Sequence, residues 1–527
     1  MAIAGMLFVS ILLAPNSYLQ VLRDTPSIQG LCSHAQRLLN QRKYVEAREI
    51  ASKALKIDAQ SAEALSLLGE SEFALGDFNA AEQHLTEALK IDPALAEAHR
   101  ALGATFIKQR KFESADAQFE AVLKAAPDDL SCLYGLGFSL LARNKPSNAL
   151  EPLVRAYHLN PSDAGVLNGL LEVYLKLGQR SQAASVLAEL NRQVENDYPQ
   201  QMQLAEVLVR EGAYDLAVNQ FQRLLKARPG SYELNYDLAL AYHRAGKDDR
   251  AAEQIHTMLA QRDEAELENL LGEVEEKRSN YTQALAAYKK ATELQPKSEE
   301  YRLDYATELV LHWDPTVALR AFIAGVKTFP SSATLWMGLG GCYYLLGKYS
   351  EASETLLHAS QMAPDNPNVY ALLGLAYDAA GPFQKAIAQR FDDYVKAHAG
   401  DALSHYFYGK ILLDRTRGEL QHNFDDAQQQ LEKAIALNPS LPQARLEMGK
   451  LLLMRRDMPA AKAEFEAAVR LDPESADAYY QLMGIYQKLG EQQEAGQALQ
   501  KFRELKGKSQ NDANRGRVRA VLGGARQ

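Results

Sequence analysis

The sequence predicts an all-α fold, an α-solenoid built from helix–turn–helix repeats. Alanine, a Leu-Gly pair and proline each recur in register, and most intervals between the recurring alanines are 34 residues. A fixed period of roughly 20 to 50 residues is typical of stacked supersecondary units rather than of one compact globule. The recurring alanines, called the repeat alanines below, are Ala47, Ala81, Ala115, Ala149, Ala183, Ala217, Ala251, Ala284, Ala318, Ala352, Ala386, Ala427, Ala461 and Ala495.

The second repeat shows how each element follows from the local pattern. Residues 62–75 and 78–90 each place apolar side chains three, four or seven positions apart, which gives each segment one apolar face and predicts a helix. Gly76-Asp77 separates the two segments and predicts a turn, and Pro93 follows the second helix. The repeat is therefore a helical hairpin.

A glycine inside the first helix and a proline after the second helix recur in many of these hairpins. A glycine inside a helix costs about 1 kcal/mol relative to alanine, so its recurrence predicts a close approach of the paired helices. Proline cannot continue a helix and sets the turn into the next repeat. The Leu-Gly pairs end at Gly69, Gly103, Gly137, Gly272, Gly340 and Gly374, and the closing prolines are Pro93, Pro127, Pro161, Pro296, Pro330, Pro364, Pro439 and Pro473.

These features together resemble the tetratricopeptide repeat, a 34-residue helical hairpin. The resemblance covers residues 28–506 as about fourteen tandem repeats. It implies a right-handed superhelix in which the first helix of each hairpin lines the concave surface. The pattern is irregular within 381–427, where the twelfth repeat carries extra residues near 415–426.

Composition limits the partners that we expect. The net charge of −9 argues against a general nucleic-acid binder. Residues 507–527 are basic, and we expect a disordered tail there, with a contact for RNA or anionic lipid as the alternative. The three cysteines, Cys32, Cys132 and Cys342, show no pairing or metal-ligand spacing and are expected to be small buried residues.

Residues 1–27 form a distinct N-terminal segment. Residues 3–14 are an apolar run that is short for a membrane span but suits the apolar region of a signal peptide. No Lys or Arg precedes this run, and no clear cleavage site follows it. We expect a protein that is exported to the periplasm or outside the cell, or associated with the membrane. The alternative is a cytoplasmic protein.

No group of residues in the sequence predicts catalysis, a cofactor or a metal ion. Residues 338–341 look like a glycine-rich phosphate loop, but they lie within a predicted helix and no strand precedes them. His312 and Trp313 fall at a turn between helices, where a structural role is expected. We therefore expect a non-enzymatic protein without a small-molecule substrate.

The resemblance to the repeat family implies two apolar patches on the concave surface. One patch comprises Tyr134, Phe138 and Leu141, and the other comprises Met337, Tyr344 and Leu345. Exposed apolar patches commonly mark partner sites, although these side chains could instead pack against the next first helix. A more polar, partly acidic stretch is expected between the patches. The second and eighth repeats present acidic side chains at their groove-facing positions instead, namely Glu63, Glu70, Glu266, Glu273 and Glu276.

The expected function is that of a scaffold that binds peptide segments or partner proteins. One alternative is a tether that helps to assemble a secretion complex at the cell envelope. A weaker alternative is nucleic-acid binding through the basic tail.

Overall fold

The computed structural model describes residues 27–416, 424–506 and 510–524, and within these ranges it contains helices and no strand. The apolar run at 3–14 and most of the extra residues of the twelfth repeat lie outside the described residues. The helices are α1 (Ile28–Asn40), α2 (Tyr44–Ile57), α3 (Ala62–Leu75), α4 (Phe78–Ile91), α5 (Ala96–Lys108), α6 (Phe112–Ala125), α7 (Leu130–Ala142), α8 (Pro146–Leu159), α9 (Ala164–Lys176), α10 (Arg180–Gln193), α11 (Tyr198–Arg210), α12 (Tyr214–Ala227), α13 (Tyr232–Arg244), α14 (Asp248–Leu259), α15 (Ala265–Lys277), α16 (Tyr281–Leu294), α17 (Glu299–His312), α18 (Pro315–Thr328), α19 (Ala333–Leu345), α20 (Tyr349–Met362), α21 (Pro367–Ala376), α22 (Gln384–Ala397), α23 (Ala402–Thr416), α24 (Asp425–Leu437), α25 (Pro442–Met454), α26 (Met458–Leu471), α27 (Ala476–Leu489), α28 (Gln492–Leu505) and α29 (Gln510–Gly524).

The helices from α1 to α12 and from α15 to α28 form successive hairpins, each with an odd-numbered first helix and an even-numbered second helix. This arrangement confirms the all-α fold class. First helices begin with capping side chains in many hairpins; Asp163, for example, accepts a hydrogen bond from the backbone N–H of Val166 at 3.0 Å. Such a cap satisfies a backbone donor that the first turn of a helix leaves unpaired. No helix in the described ranges has both the length and the apolar character needed to cross a bilayer.

The chain divides into two compact units, Met1–Ala241 and Tyr242–Gln527. In the first unit, the two helices of each hairpin pack together, and first helices also contact the first helix of the next hairpin, as α5 contacts α7 and α7 contacts α9. The second unit is built in the same way, with α17 contacting α19 and α19 contacting α21. Each unit therefore has a surface formed by neighbouring first helices.

Small residues make the close packing within a hairpin possible. A Cβ atom at Gly272 of α15 would lie 2.4 Å from the ring of Tyr288 in α16, so glycine is required for Tyr288 to pack there. Repeat alanines such as Ala81 and Ala284 are fully buried beside these contacts. The Leu-Gly pair and the repeat alanine thus contribute to the same helix–helix contact.

The eleventh hairpin departs from the expected register. Two short 3-10 turns, Tyr377–Ala379 and Gly381–Phe383, follow α21 and delay the start of α22 to Gln384. Ala386 is therefore exposed, and Ile387 takes the fully buried position that the repeat alanine holds elsewhere. Ala386 thus keeps the spacing of the repeat alanines but not their buried position, because spacing alone could not reveal the extra turns.

The described part of the C-terminal segment is helical. A disordered tail was expected, but Gln510–Gly524 forms α29, which contacts α17, α19 and α21. Val518 and Leu522 are 0% and 3% exposed. These side chains are four residues apart, so a helix places both on one face, and their burial stabilises the helix against the first helices.

Candidate peptide-binding surfaces

The first predicted patch lies in an open cleft of the first unit, called the Tyr134 cleft. The cleft has a volume of about 420 Å³ and is lined by residues of α7 to α11. Tyr134, Phe138 and Leu141 all contribute to it. Phe138 is 44% exposed, whereas Leu141 is only 7% exposed and forms part of the hairpin core.

The two aromatic side chains of the cleft lie next to each other on α7. Their ring centroids are 6.4 Å apart, with the ring planes inclined by 42°. A Cβ atom at Gly165 of α9 would lie 3.1 Å from the Tyr134 hydroxyl oxygen, so Tyr134 packs closely over the neighbouring first helix. This burial, together with the carboxylate of Asp163, raises the pKa of Tyr134 and keeps its hydroxyl protonated. Tyr134 is thus held in place, while Phe138 retains exposed apolar surface.

The other walls of the cleft combine apolar and amide side chains. Leu204 and Val207 of α11 extend the apolar lining, and Asn168 and Gln203 supply amide groups. An amide side chain can both donate and accept hydrogen bonds, as a peptide backbone does. The cleft therefore offers an apolar contact next to groups that suit an extended polypeptide.

The second predicted patch is covered by the protein's own C-terminal helix. Met337, Tyr344 and Leu345 are 1%, 6% and 2% exposed and belong to one core cluster with Val518 and Leu522. The interpretation of these three residues as an exposed docking patch is therefore wrong for this structure. The alternative that they pack only against the next first helix is also incomplete, because α29 contributes to their burial.

Three glycines of α19 explain how these side chains fit together. Cβ atoms at Gly338 and Gly340 would lie 2.1 Å from the ring of Phe322 and 2.6 Å from Leu356, so these glycines admit side chains of neighbouring second helices. A Cβ atom at Gly341 would lie 2.7 Å from Leu522 of α29. The resemblance of residues 338–341 to a phosphate loop thus results from three packing contacts.

Polar contacts also hold α29 in place. Arg515 donates a hydrogen bond to the backbone oxygen of Leu345 at 2.7 Å, at the end of α19. A cation is favoured at this position because the last carbonyl groups of a helix carry partial negative charge. Within α29, Asn514 accepts a hydrogen bond from Arg517 at 3.3 Å.

An acidic cluster of the second unit lies near the end of α29. Ligand atoms of Glu276, Glu308 and His312 all lie within 4.8 Å of one another, so these residues could together hold a divalent cation. Burial raises the pKa of Glu308 to about 8. Burial lowers the pKa of His312, and the charge of Arg519 on α29 lowers it further.

Sequence reasoning missed this cluster although part of its signal is visible. Glu308 and His312 are four residues apart on α17, a spacing that places both side chains on one helix face. Glu276 comes from α15, and only the packing of neighbouring first helices brings it to them. His312 also stacks on Tyr281, with ring centroids 3.7 Å apart, which agrees with the structural role expected for it.

The three cysteines are buried and do not form disulfides. Burial raises the pKa of both Cys132 and Cys342 to about 12. These thiols are therefore poor nucleophiles at neutral pH, in agreement with their expected role as small core residues.

The structure defines a class of protein built from stacked helical hairpins whose neighbouring first helices form a shared surface. Profiles of the tetratricopeptide-repeat family match residues 32–96, 72–136, 140–205, 208–274, 266–298, 314–376, 421–476 and 446–510. These matches cover most of the sequence, and the chain belongs to the tetratricopeptide-repeat family.

Curated relatives match parts of the chain at low identity. A TPR repeat-containing protein of Treponema pallidum is 25% identical over 228 residues, covering 41% of this chain and 26% of that protein. The protein O-mannosyl-transferase TMTC3 of Mus musculus is 25% identical over 189 residues, covering 34% of this chain and 20% of that protein. Anaphase-promoting complex subunit 3 of Schizosaccharomyces pombe is 23% identical over 192 residues, covering 36% of this chain and 28% of that protein. The chain thus spans less than a third of the length of these relatives.

Solved structures of helical-repeat proteins align over a larger share of the chain. The Cut9–Hcn1 hetero-tetramer of the anaphase-promoting complex aligns with a TM-score of 0.35 and 13% identity, covering 89% of this chain and 98% of the matched chain. Yeast Tom70 aligns with a TM-score of 0.34 and 18% identity, covering 88% of this chain and 95% of the matched chain.

Proposed function

We propose that this protein is a non-enzymatic scaffold that binds an extended segment of a partner protein in the Tyr134 cleft. The observation that carries this proposal is Phe138, which is 44% exposed within a cleft of about 420 Å³. An aromatic side chain in such a position gains contact area when a partner covers it. Binding energy in protein interfaces is commonly concentrated in a few such residues.

The chemistry of the cleft supports a peptide as the ligand. Tyr134 is already fixed over α9, so a partner does not need to order it on binding. Asn168 and Gln203 can exchange hydrogen bonds with a peptide backbone, while Phe138 contacts an apolar side chain. The lining includes one carboxylate, that of Glu172, which lies 3.7 Å from the Lys176 amino group. We therefore propose a ligand recognised by its backbone and one apolar side chain rather than by charge.

The relatives leave catalysis as a separate question. TMTC3 is named an O-mannosyl-transferase, but its match covers only 20% of that protein. The scaffold mechanism proposed for this chain requires contact between polypeptides and no chemical step. Nucleic-acid binding is not proposed, because the chain carries a net charge of −9.

The test compares the tagged full-length chain with its Tyr134→Ser/Phe138→Ser variant in a pull-down from the native organism. Captured proteins are identified by mass spectrometry, and each candidate is then titrated against both purified chains. We expect a direct partner to bind the variant about 30-fold more weakly, which corresponds to the roughly 2 kcal/mol typical of an interface hot spot.

Leu159→Ser is the matched control for this test. Leu159 is 45% exposed, close to the value for Phe138, but it lies at the end of α8 and does not line the cleft. The control variant should retain the partner. A partner that binds all three chains equally, or a double variant that loses its circular-dichroism signal, would contradict the proposed role of these side chains.

We also propose that the scaffold acts at the cell envelope, in the assembly or tethering of a secretion complex. The apolar run at residues 3–14 supports this location, with cytoplasmic residence as the competing outcome. Cell fractionation of the full chain and of a chain lacking residues 1–26 tests it. Recovery of only the full chain from the membrane or periplasmic fraction is expected, and equal cytoplasmic recovery of both chains would contradict it.

A further inference from the structure

We propose that the surface formed by α17, α19 and α21 is a docking site for a basic amphipathic helix of a partner protein, and that α29 occupies this site in cis. We call this surface the α19 groove. Helix binding in a groove is a common mode of peptide recognition, in which apolar side chains on one helix face act as anchors. The proposal concerns different residues from those of the Tyr134 cleft, so either proposal can fail without the other.

The shape of the α19 groove fits an aliphatic anchor. Leu522 is 3% exposed and lies where a side chain at residue 341 would otherwise be. The three atoms nearest to a Cβ at Gly341 all belong to Leu522, whereas Gly338 and Gly340 admit side chains of their own and neighbouring hairpins. Gly341 therefore serves the docked helix and not the packing of the hairpins. Val518, one helical turn earlier and fully buried, provides a second anchor.

The charges of the α19 groove favour a basic helix. Arg515 donates a hydrogen bond to the Leu345 carbonyl oxygen. The positive charge of Arg519 lowers the pKa of His312, whereas the carboxylate of Glu276 raises it. The positive charge of Arg517 likewise lowers the pKa of Tyr344, whereas the carboxylate of Asp378 raises it. Arg515 thus binds the carbonyl end of α19. Arg517 and Arg519 lie near Tyr344 and His312, each of which also has a carboxylate nearby, and a partner helix needs the same pattern.

The contacts of α29 are few enough to permit exchange. Ala513, Arg515, Gly516, Arg519 and Ala520 are exposed, and in the described part of α29 only Val518 and Leu522 are buried. By contrast, the neighbouring α19 buries nine of its residues. Segments with few buried contacts open at low free-energy cost. Attachment to α28 nevertheless gives α29 a high effective concentration, so it competes with any helix in solution.

The test uses two full-length chains and one fluorescent peptide. The opened chain carries Val518→Asp and Leu522→Asp, and the matched control carries Ala513→Asp and Ala520→Asp at exposed positions of the same helix. The probe is a labelled peptide of residues 510–524, titrated by fluorescence anisotropy as a surrogate for the partner helix. We expect the opened chain to bind it at least about tenfold more tightly than the wild-type and control chains, because the competing helix is released.

Three further variants test the chemistry of the groove. Gly341→Leu in the opened chain fills the position of Leu522 and should abolish peptide binding. A peptide with Leu522→Asp, and one with Arg515, Arg517 and Arg519 all changed to Gln, should each bind at least about tenfold more weakly. Tryptophan fluorescence and circular dichroism are measured on the opened chain, which we expect to remain folded because α29 is not part of any hairpin.

Each opposing result would overturn the proposal. Equal peptide binding by the wild-type and opened chains would show that the peptide binds elsewhere, and no binding by the folded opened chain would show that the groove accepts α29 only within the chain. A wild-type chain that light scattering shows to be a dimer, and that becomes a monomer in the opened chain, would assign the groove to a second copy instead of a partner.

Discussion

At the scale of single residues, glycine has different roles in adjacent positions of α19. Gly338 admits Phe322 of the preceding hairpin, Gly340 admits Leu356 of its own hairpin, and Gly341 admits Leu522 of α29. Each position would need a shift of a neighbouring side chain if it carried a Cβ atom. The same residue type thus serves three separate contacts, and only the position in the helix determines which one.

The contact at Gly338 predicts a local loss of stability. Its Cβ atom would lie 2.1 Å from the ring of Phe322, which is fully buried and has little room to move. Gly338→Ala should lower the free energy of unfolding by about 1–3 kcal/mol, the usual cost of overpacking a core. Urea unfolding followed by tryptophan fluorescence measures this effect, because Trp336 is a residue of the same helix.

Gly484→Ala in α27 is the control for this prediction. A Cβ atom at Gly484 would have no heavy atom within 4 Å. Removing a flexible glycine from a helix should leave stability unchanged or raise it by up to about 1 kcal/mol. An unaltered unfolding midpoint for Gly338→Ala would show that the ring of Phe322 moves aside at little cost.

At the scale of helices, α29 differs from all the hairpin helices of the described chain. Hairpin helices have a partner helix adjacent in sequence, and their apolar faces can be recognised from the 34-residue pattern. Helix α29 has no such partner and packs on three first helices instead. Its basic composition favoured disorder, while its apolar pair, Val518 and Leu522, indicated a helix face only once a surface for that face was known.

The eleventh hairpin shows a second effect at this scale. Its first helix, Pro367–Ala376, is followed by two 3-10 turns before α22 begins. The fully buried Ile387 replaces a small alanine at this register, and Gly374 faces Phe407 of the next hairpin rather than a residue of its own. A change in the turn therefore alters which side chains meet, although the helices remain.

At the scale of the whole molecule, stability depends on contacts between neighbouring repeats. Repeat proteins gain stability as a sum of repeat and nearest-neighbour terms, so different regions can unfold at different denaturant concentrations. The chain has two tryptophans, Trp313 and Trp336, and both lie in the second compact unit. Circular dichroism reports on helices throughout the chain, whereas tryptophan fluorescence reports on the second unit.

We therefore predict that the urea-unfolding curve measured by circular dichroism will not coincide with the curve measured by tryptophan fluorescence for the wild-type chain. Gly137→Ala in the first unit, where a Cβ atom would lie 2.4 Å from Leu153, should shift part of the circular-dichroism transition and leave the fluorescence midpoint nearly unchanged. Gly338→Ala should shift the fluorescence midpoint. Coincident curves for the wild-type chain and both variants would establish a single cooperative transition.

The sequence alone determined the repeated helical hairpin. Its core contacts join residues close in the chain at a fixed spacing, as between Gly272 and Tyr288, so a regular repeat carries the pattern within its own sequence. The resemblance to the repeat family implied that Phe138 faces the concave surface, and the structure shows that side chain in an open cleft. Its role in binding stays a prediction.

Only the tertiary structure decided which surfaces remain open. The hydrogen bond between Arg515 and Leu345 joins residues 170 positions apart, and no local periodicity indicates such a contact. Helix α29 packs on α19 at Gly341 and Leu345, and the cluster around Glu308 followed from the packing of α15 beside α17. Local spacing therefore fixes the hairpins, while contacts between distant segments determine which parts of their surface a partner can reach.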